Sequence, residues 1–362
     1  MKSLLNLFFG FVFLSSQGQE TIKFADSIRQ EYKIPEISYA VINDTSILEI
    51  EAIGQHSISV NDQATLEDRF HLGSNTKAMT AFIVAKYIEK KKLNWNTKFF
   101  KIFPEWKKES NKDYYNITLQ DLLSHRAGIQ PFQGIDDPQI PDFKGENKEK
   151  RKLFGKFVLT LEPTKMDSIN NFVYSNADYT LAALMLEKVT HKSWEELVEK
   201  VFNEDLKLNV GFSWPDNQEK KDTWGHYYEN NQLVAVPSNA DFHLDYTEPA
   251  GDLNIKLKDY IKFIQLNLDG LQGHDNYLQS RTYNFLHNGI KNYSLGWFNI
   301  MENGQNWSTH SGTVGTYYTN VQIDKTNKIA YIIFANAYSE DTVKGVRILM
   351  RKLKEEYTKE IK

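Results

Sequence analysis

The stretch FHLGSNTKAMTAF, residues 70 to 82, decides how the rest of the chain is read. It puts Ser74 and Lys77 three residues apart, where a loop turns into a helix. After Gly73 the run from Ala78 to Ala85 suits a buried helix, and Ser74 falls in its first turn. A serine there is either an N-cap, its oxygen accepting a backbone N–H, or a nucleophile with a lysine one turn along on the same face. The spacing alone leaves both open, because a chain of this size contains about one SxxK by chance.

The bulk sequence narrows the classes. With 362 residues there is enough chain for a large core in one domain or two interleaved ones. Lys and Arg number 43 against 47 Asp and Glu, and the two signs are interleaved, so no nucleic-acid partner is expected. Cysteine is absent, which excludes disulfides, thiolate catalysis, cysteine-ligated metals and a lipoprotein anchor. The nine histidines form no HExxH or other close metal pair, and neither a metal nor another cofactor is expected. The start, MKSLLNLFFGFVFLSSQGQE, reads as a signal peptide over residues 1–18. Lys2 is its positive end, Leu4 to Leu14 its apolar stretch, and Ser16 and Gly18 the small residues before a cut at Gln19. Those eleven apolar residues are short for a bilayer span. The expectation is export to the periplasm or beyond, with no stable membrane span after cleavage.

Along the chain, residues 37–54 read as two strands around an Asn43-Asp44 turn, and 75–93 as a helix. NITLQDLLSHRAGI, 116–129, has a Thr118 cap, a short helix and a Gly128 stop. Residues 136–152 are polar and read as an irregular, mobile surface excursion. Helices follow over 175–193 and 194–204, a segment without clear periodicity over 207–250, and another helix over 255–268. YSLGWFNIM, HSGTVGTYYTNVQID and KIAYIIFANA read as strands with a turn at Asp324–Asn327, before a terminal helix. Strands at both ends with helices between predict an α+β or α/β protein with one antiparallel sheet from the two termini, flanking helices and an inserted helical part. Residues 19–74 and 285–362 would form the sheet part and 75–284 the mainly helical part. The chain ends soon after the terminal helix, so no appended C-terminal domain is expected.

Two further motifs join Ser74-Asn75-Thr76-Lys77: Tyr174-Ser175-Asn176, directly before a strong helix, and His310-Ser311-Gly312, on a strand near the end. Their order matches the SxxK, Tyr-x-Asn and (Lys/His)-x-Gly set of serine acyl-transferring enzymes. With HLGSNTKAMTA, ITLQDLLSHRAGI, YSNADYTLAALMLEKVT, PAGDL and YSLGW, the chain resembles the class C β-lactamase-related serine hydrolases from about residue 25 to 357. These include β-lactamases, D-alanyl-D-alanine carboxypeptidases, D-aminopeptidases and esterases. The resemblance implies a β-lactamase/transpeptidase-like fold and an acyl-enzyme on Ser74. It makes Lys77 and Tyr174 the proton-handling groups, with the acylation base left open between them, and Asn176 a partner of Lys77 and of a substrate amide. It makes His310, Ser311 and Gly312 a substrate-binding strand, and the backbone N–H groups of Ser74 and Thr313 the oxyanion donors.

The chain departs from class C β-lactamases in carrying His310-Ser311-Gly312 where they have Lys-Thr-Gly. A histidine near its ordinary pKa of ~6.5 is only partly charged at neutral pH, which weakens recognition of a β-lactam carboxylate. PAGDL has Asp252 where a second glycine is common, and Asn254 is expected to cap the helix that follows. His125 and Arg126 are read as braces at a helix end, and His56, His71, His191, His226, His243, His274 and His287 receive no role. The expected activity is cleavage of an amide or ester in a small molecule or peptide: a D-amino-acid peptide, a small ester or, weakly, a β-lactam. The competing readings are a catalytically silent penicillin-binding or sensor protein and an acyltransferase. The oligomeric state is not legible.

Overall fold

The computed structural model describes residues 16–359 except 135–136, 167–171, 216–221, 231, 238–239, 241 and 303. Most of the expected signal segment, up to residue 15, lies outside the described residues, and the first helix, Ser16–Glu31, runs across the expected cut.

The strand-like runs near the two ends form one eight-stranded sheet. Glu36–Ile42, Ile47–Ser57 and Val60–Gln63 supply one side; Ile329–Ala335, Tyr318–Asp324, Gln305–Thr313, Phe298–Glu302 and Asn292–Tyr293 supply the other. The halves join where Glu36–Ile42 pairs with Ile329–Ala335, Ile37 opposite Ala335 and Ile42 opposite Ala330. Every neighbouring pair is antiparallel. The strand in KIAYIIFANA is apolar throughout because both its faces are covered. Ala330, Ile332 and Phe334 pack toward the inserted helices. Ile329, Tyr331, Ile333 and Ala335 pack with residues such as Ala25, Ile28, Leu349 and Leu353 of the two terminal helices, Ser16–Glu31 and Glu340–Lys359.

Between the halves runs the mainly helical section, with Thr76–Glu89 at its centre. Every side chain from Thr76 to Ala85 is buried, which explains a helix sequence without a polar stripe. Thr118 caps the short Leu119–Leu123 helix in a capping box, its hydroxyl accepting the Asp121 N–H and the Asp121 carboxylate accepting the Thr118 N–H.

Two expectations need correction. The polar excursion is helical from Asn147 to Val158, because Arg151, Phe154, Gly155 and Val158 recur at helical spacing and face the core. The arginine disguised that face as a charged run. Asn254 does not cap a helix. It lies on the strand Leu253–Lys256, accepts from Arg69 Nε at 2.7 Å and donates to the carbonyls of Phe212 and Ser213. That strand is the centre of a small sheet with Arg69–His71 and Val210–Phe212, which leads the chain into Ser74.

Candidate active site

Ser74 occupies a 3-10 turn, Gly73–Asn75, that runs straight into the Thr76–Glu89 helix. The caps of turn and helix are Leu72 and Asn75, so the Ser74 hydroxyl has no capping duty. Lys77 places Nζ 3.2 Å from Ser74 Oγ, 2.7 Å from Asn176 Oδ1 and 2.9 Å from the Ala250 carbonyl oxygen. The Asn176 amide is oriented by its own Nδ2, which donates to the Phe132 carbonyl at 2.8 Å. Two of the three neighbours of Nζ are therefore pure acceptors. A neutral amine donates its two N–H groups to them and keeps its lone pair for the Ser74 O–H. Burial pushes Lys77 well below its ordinary pKa, and a negative charge on Asp178 would oppose this without outweighing it.

Tyr174 closes the other side of Ser74. Its ring centre lies 4.6 Å from Lys77 Nζ. Burial pushes the phenol well above its ordinary pKa, opposed by a hydrogen bond with Ser74, so Tyr174 is a proton-bearing group.

The Gln305–Thr313 strand carries the third motif against the turn. A Cβ on Gly312 would lie 2.0 Å from the Leu72 oxygen and 2.6 Å from the Ser74 nitrogen. One on Gly73, which has φ +51°, would lie 2.3 Å from the Thr313 nitrogen. The two glycines let turn and strand touch, Gly312 against the Ser74 nitrogen and Gly73 against the Thr313 nitrogen. Asn75 and Thr319 fasten it, with Asn75 Nδ2 donating to Thr319 Oγ1 at 2.7 Å and Thr319 Oγ1 to the Leu72 carbonyl at 2.8 Å. Ser311 is exposed on the same strand.

His310 differs from expectation. Its Nδ1 lies 2.9 Å from the Ser311 carbonyl, which only a ring N–H satisfies, so Nε2 accepts from the Tyr293 hydroxyl at 3.1 Å. Burial, helped by nearby Lys77 and opposed by the Ser311 carbonyl, pushes its pKa down to about 3. The ring is neutral at neutral pH, not partly charged.

The sequence reading assigned no role to His71. Its Nδ1 accepts the Gly73 N–H at 3.1 Å, and its Nε2 lies 3.2 Å from Asp252 Oδ1. Asp252 in turn accepts from Ser213 Oγ at 2.8 Å. The departure in PAGDL thus has a partner, and together the two side chains hold the turn ahead of Ser74. The available signals were a histidine inside the opening stretch and an aspartate at an unusual place, but 181 residues separate them. The PAGDL segment is also tied to the helix by Thr80 Oγ1, which donates to the Pro249 carbonyl at 2.8 Å, and by the Leu253 N–H, which reaches Thr76 Oγ1 at 3.2 Å. His125 braces more than a helix end. Its carbonyl accepts the Val173 N–H at 2.9 Å, and its ring centre lies 4.4 Å from that of Tyr174.

The pattern of the Beta-lactamase family matches residues 22–353, a span holding every residue of this site. The chain belongs to the Beta-lactamase family. Protein flp of Staphylococcus aureus (strain N315) is 24% identical over 342 residues, covering 93% of this chain and 66% of flp. Teichoic acid D-alanine hydrolase of Staphylococcus aureus is 25% identical over 228 residues, covering 63% of this chain and 53% of that protein. The chain thus spans under two thirds of the length of either relative. The D-amino acid amidase of Ochrobactrum anthropi SV3 superposes with a TM-score of 0.74 at 16% identity, over 93% of this chain and 99% of the amidase. At that identity the likeness shows the fold, which is β-lactamase/transpeptidase-like. Among the described residues no helix is long and apolar enough to cross a membrane.

Proposed function

We propose that the chain is an exported serine hydrolase that cleaves an ester or amide through an acyl-enzyme on Ser74. The observation that carries this reading is the lysine: a buried amine 3.2 Å from Ser74 Oγ whose other close partners are two neutral acceptors. Ser74 Oγ attacks the acyl carbon and its proton passes to Lys77 Nζ. The backbone N–H groups of Ser74 and Thr313 hold the developing oxyanion. Tyr174, a neutral phenol, protonates the departing alkoxide or amine and recovers its proton from the Lys77 ammonium. Water then enters by the reverse path and frees the acid. Asn176 keeps Lys77 in place and takes a substrate amide, while Gly312 admits the substrate backbone to the strand of His310 and Ser311.

Neither Lys77 nor His310 offers a fixed positive charge, so a substrate carboxylate finds no strong partner in them. This favours small esters and D-amino-acid esters or amides over β-lactams, and the relatives named for D-alanine and D-amino acid chemistry agree in substrate class. Export rests on the N-terminal apolar segment.

A fluorophosphonate probe should label the wild type and not Ser74→Ala, with both proteins melting alike. On a panel of a D-alanine aryl ester, a D-amino-acid anilide and a cephalosporin, the ester should turn over fastest and the cephalosporin slowest. Equal labelling of Ser74→Ala would remove Ser74 from the mechanism.

A further inference from the structure

We infer that Asp178 is a neutral carboxylic acid that donates its proton to His125 Nδ1, and that this pair positions Tyr174 while leaving Lys77 without a counter-anion. The consequence for Lys77 rests on the hydrolase reading above; the pair itself does not.

Both side chains are fully buried, with Asp178 Oδ2 2.8 Å from His125 Nδ1. The same Nδ1 accepts the Ser175 backbone N–H at 3.2 Å. A ring nitrogen that accepts is bare. A carboxylate has only lone pairs to present to it, and two lone pairs at that distance repel. The proton between them therefore sits on the carboxyl group, and the single Nδ1 lone pair is shared between that O–H at 2.8 Å and the Ser175 N–H at 3.2 Å. Were it on Nδ1, the Ser175 N–H would point at another N–H. His125 Nε2, which carries the ring proton when Nδ1 is bare, is buried with no hydrogen-bond partner among the described residues, and so is the second carboxyl oxygen, Oδ1. A neutral acid tolerates that far better than an anion.

The charges around the pair do not reverse this. Asp178 faces Lys77, which favours its anion, and Asp121, which opposes it. The phenols of Tyr114, Tyr179 and Tyr293 also lie within its field. His125 faces Lys77, His310 and Arg126, all of which disfavour an imidazolium. Arg126 directs its N–H groups at the carbonyls of Ser124, Tyr293 and Lys291. Burial dominates for both groups, raising Asp178 and lowering His125.

The positioning follows from the backbone. His125 receives the N–H of Val173 on its carbonyl and that of Ser175 on its ring, so it grips both neighbours of Tyr174. Its ring lies against the Tyr174 ring, with 4.4 Å between centres. Asp178 holds the imidazole in this orientation, and its own N–H is tied to Ser175 Oγ at 3.3 Å. An anion at Asp178 would hold a proton on Lys77; a neutral acid does not.

The direct test is carbon-13 NMR of the full chain labelled at aspartate carboxyls. One resonance should stay at the protonated position from about pH 5 to about pH 8, where ordinary aspartates are ionised, and should be missing in Asp178→Asn. A wild-type spectrum in which every aspartate is ionised by about pH 5 overturns the inference, whatever the enzyme hydrolyses. Kinetics give a second readout on the aryl ester. Asp178→Asn keeps a neutral donor toward Nδ1, so the acid limb of kcat/KM should stay within about 0.3 pH unit. A drop of that limb by about one unit would mean that an anion had been removed from beside Lys77, and would also overturn it. Asp178→Ala and His125→Ala lose the grip on Tyr174 and should lower kcat by about tenfold or more with little change in KM. Wild-type kcat in both would remove the positioning role.

Discussion

Among the described residues, one arginine and one lysine side chain lie fully out of solvent, and they are treated in opposite ways. Arg151 and Lys77 are each 0% exposed. Arg151 meets three carboxylates: Glu187 at 2.8 Å, Glu195 at 3.0 Å and Glu248 at 2.9 Å. Burial alone would lower its pKa, but Glu248, Glu187 and Glu195 outweigh it and the guanidinium stays charged. Lys77 meets a hydroxyl, an amide oxygen and a carbonyl, and burial wins. One short helix, Glu248–Gly251, serves both, with Glu248 facing the arginine and the Ala250 carbonyl facing the lysine. A paired buried charge joins helices together. A buried amine without an anion is ready to take a proton.

The largest expected effect is on Lys77. Lys77→Ala should lower kcat by about 10²–10⁴-fold, the scale of lost proton transfer. Lys77→Arg should fall as far, since a guanidinium stays protonated. Measured kcat/KM on the aryl ester decides it, and near-wild-type activity in Lys77→Arg would break the comparison by showing that the charged form suffices.

Arg151→Ala should leave activity per folded molecule much less changed but destabilise the protein by about 3–5 kcal/mol, because it strands buried carboxylates. Urea unfolding monitored by tryptophan fluorescence measures this. A loss under about 1 kcal/mol would mean that the carboxylates are already neutral.

A smaller effect separates the members of the arginine cluster. The Arg151–Glu248 contact is close but has no hydrogen-bond alignment, and burial raises Glu248 to about 7 despite the arginine. The folded state therefore binds this proton more tightly than the unfolded chain. The group's stabilising contribution is present below its ordinary pKa and is lost as pH rises through about 7. Glu248→Gln should flatten the fall of melting temperature between about pH 5 and 8 by roughly 2–4 °C. An unchanged slope would assign the pH dependence elsewhere.

The smallest effect is a silence. His310, pushed down to about 3, should show no ring titration between pH 5 and 8 by NMR, and kcat/KM should have no step of its own near pH ~6.5. Its folded pKa is depressed, so the stability it contributes is full above its ordinary pKa and is lost as pH falls from there toward about 3. A ring titration near its ordinary value would restore a charged His310 and carboxylate recognition with it.

Much of the framework was legible in the chain itself. The strand and helix runs carry their periods locally, and the cap at Thr118 and the turn at Asp324 are read from neighbours in sequence. Ser74 and Lys77 meet because three residues make about one helical turn, a local geometry. Asn176 and Ala250, which complete the lysine's surroundings, are 99 and 173 residues away.

The sequence by itself determined which groups could carry protons and in what order they stand along the chain. The tertiary structure alone decided which of them are charged. Whether Lys77, His310, Asp178 and Arg151 hold a proton depends on burial and on the lone pairs, N–H groups and anions within a few ångströms. Those neighbours come from segments that only folding brings together, and in a medium of low polarity a single partner changes the balance between the charged and neutral forms.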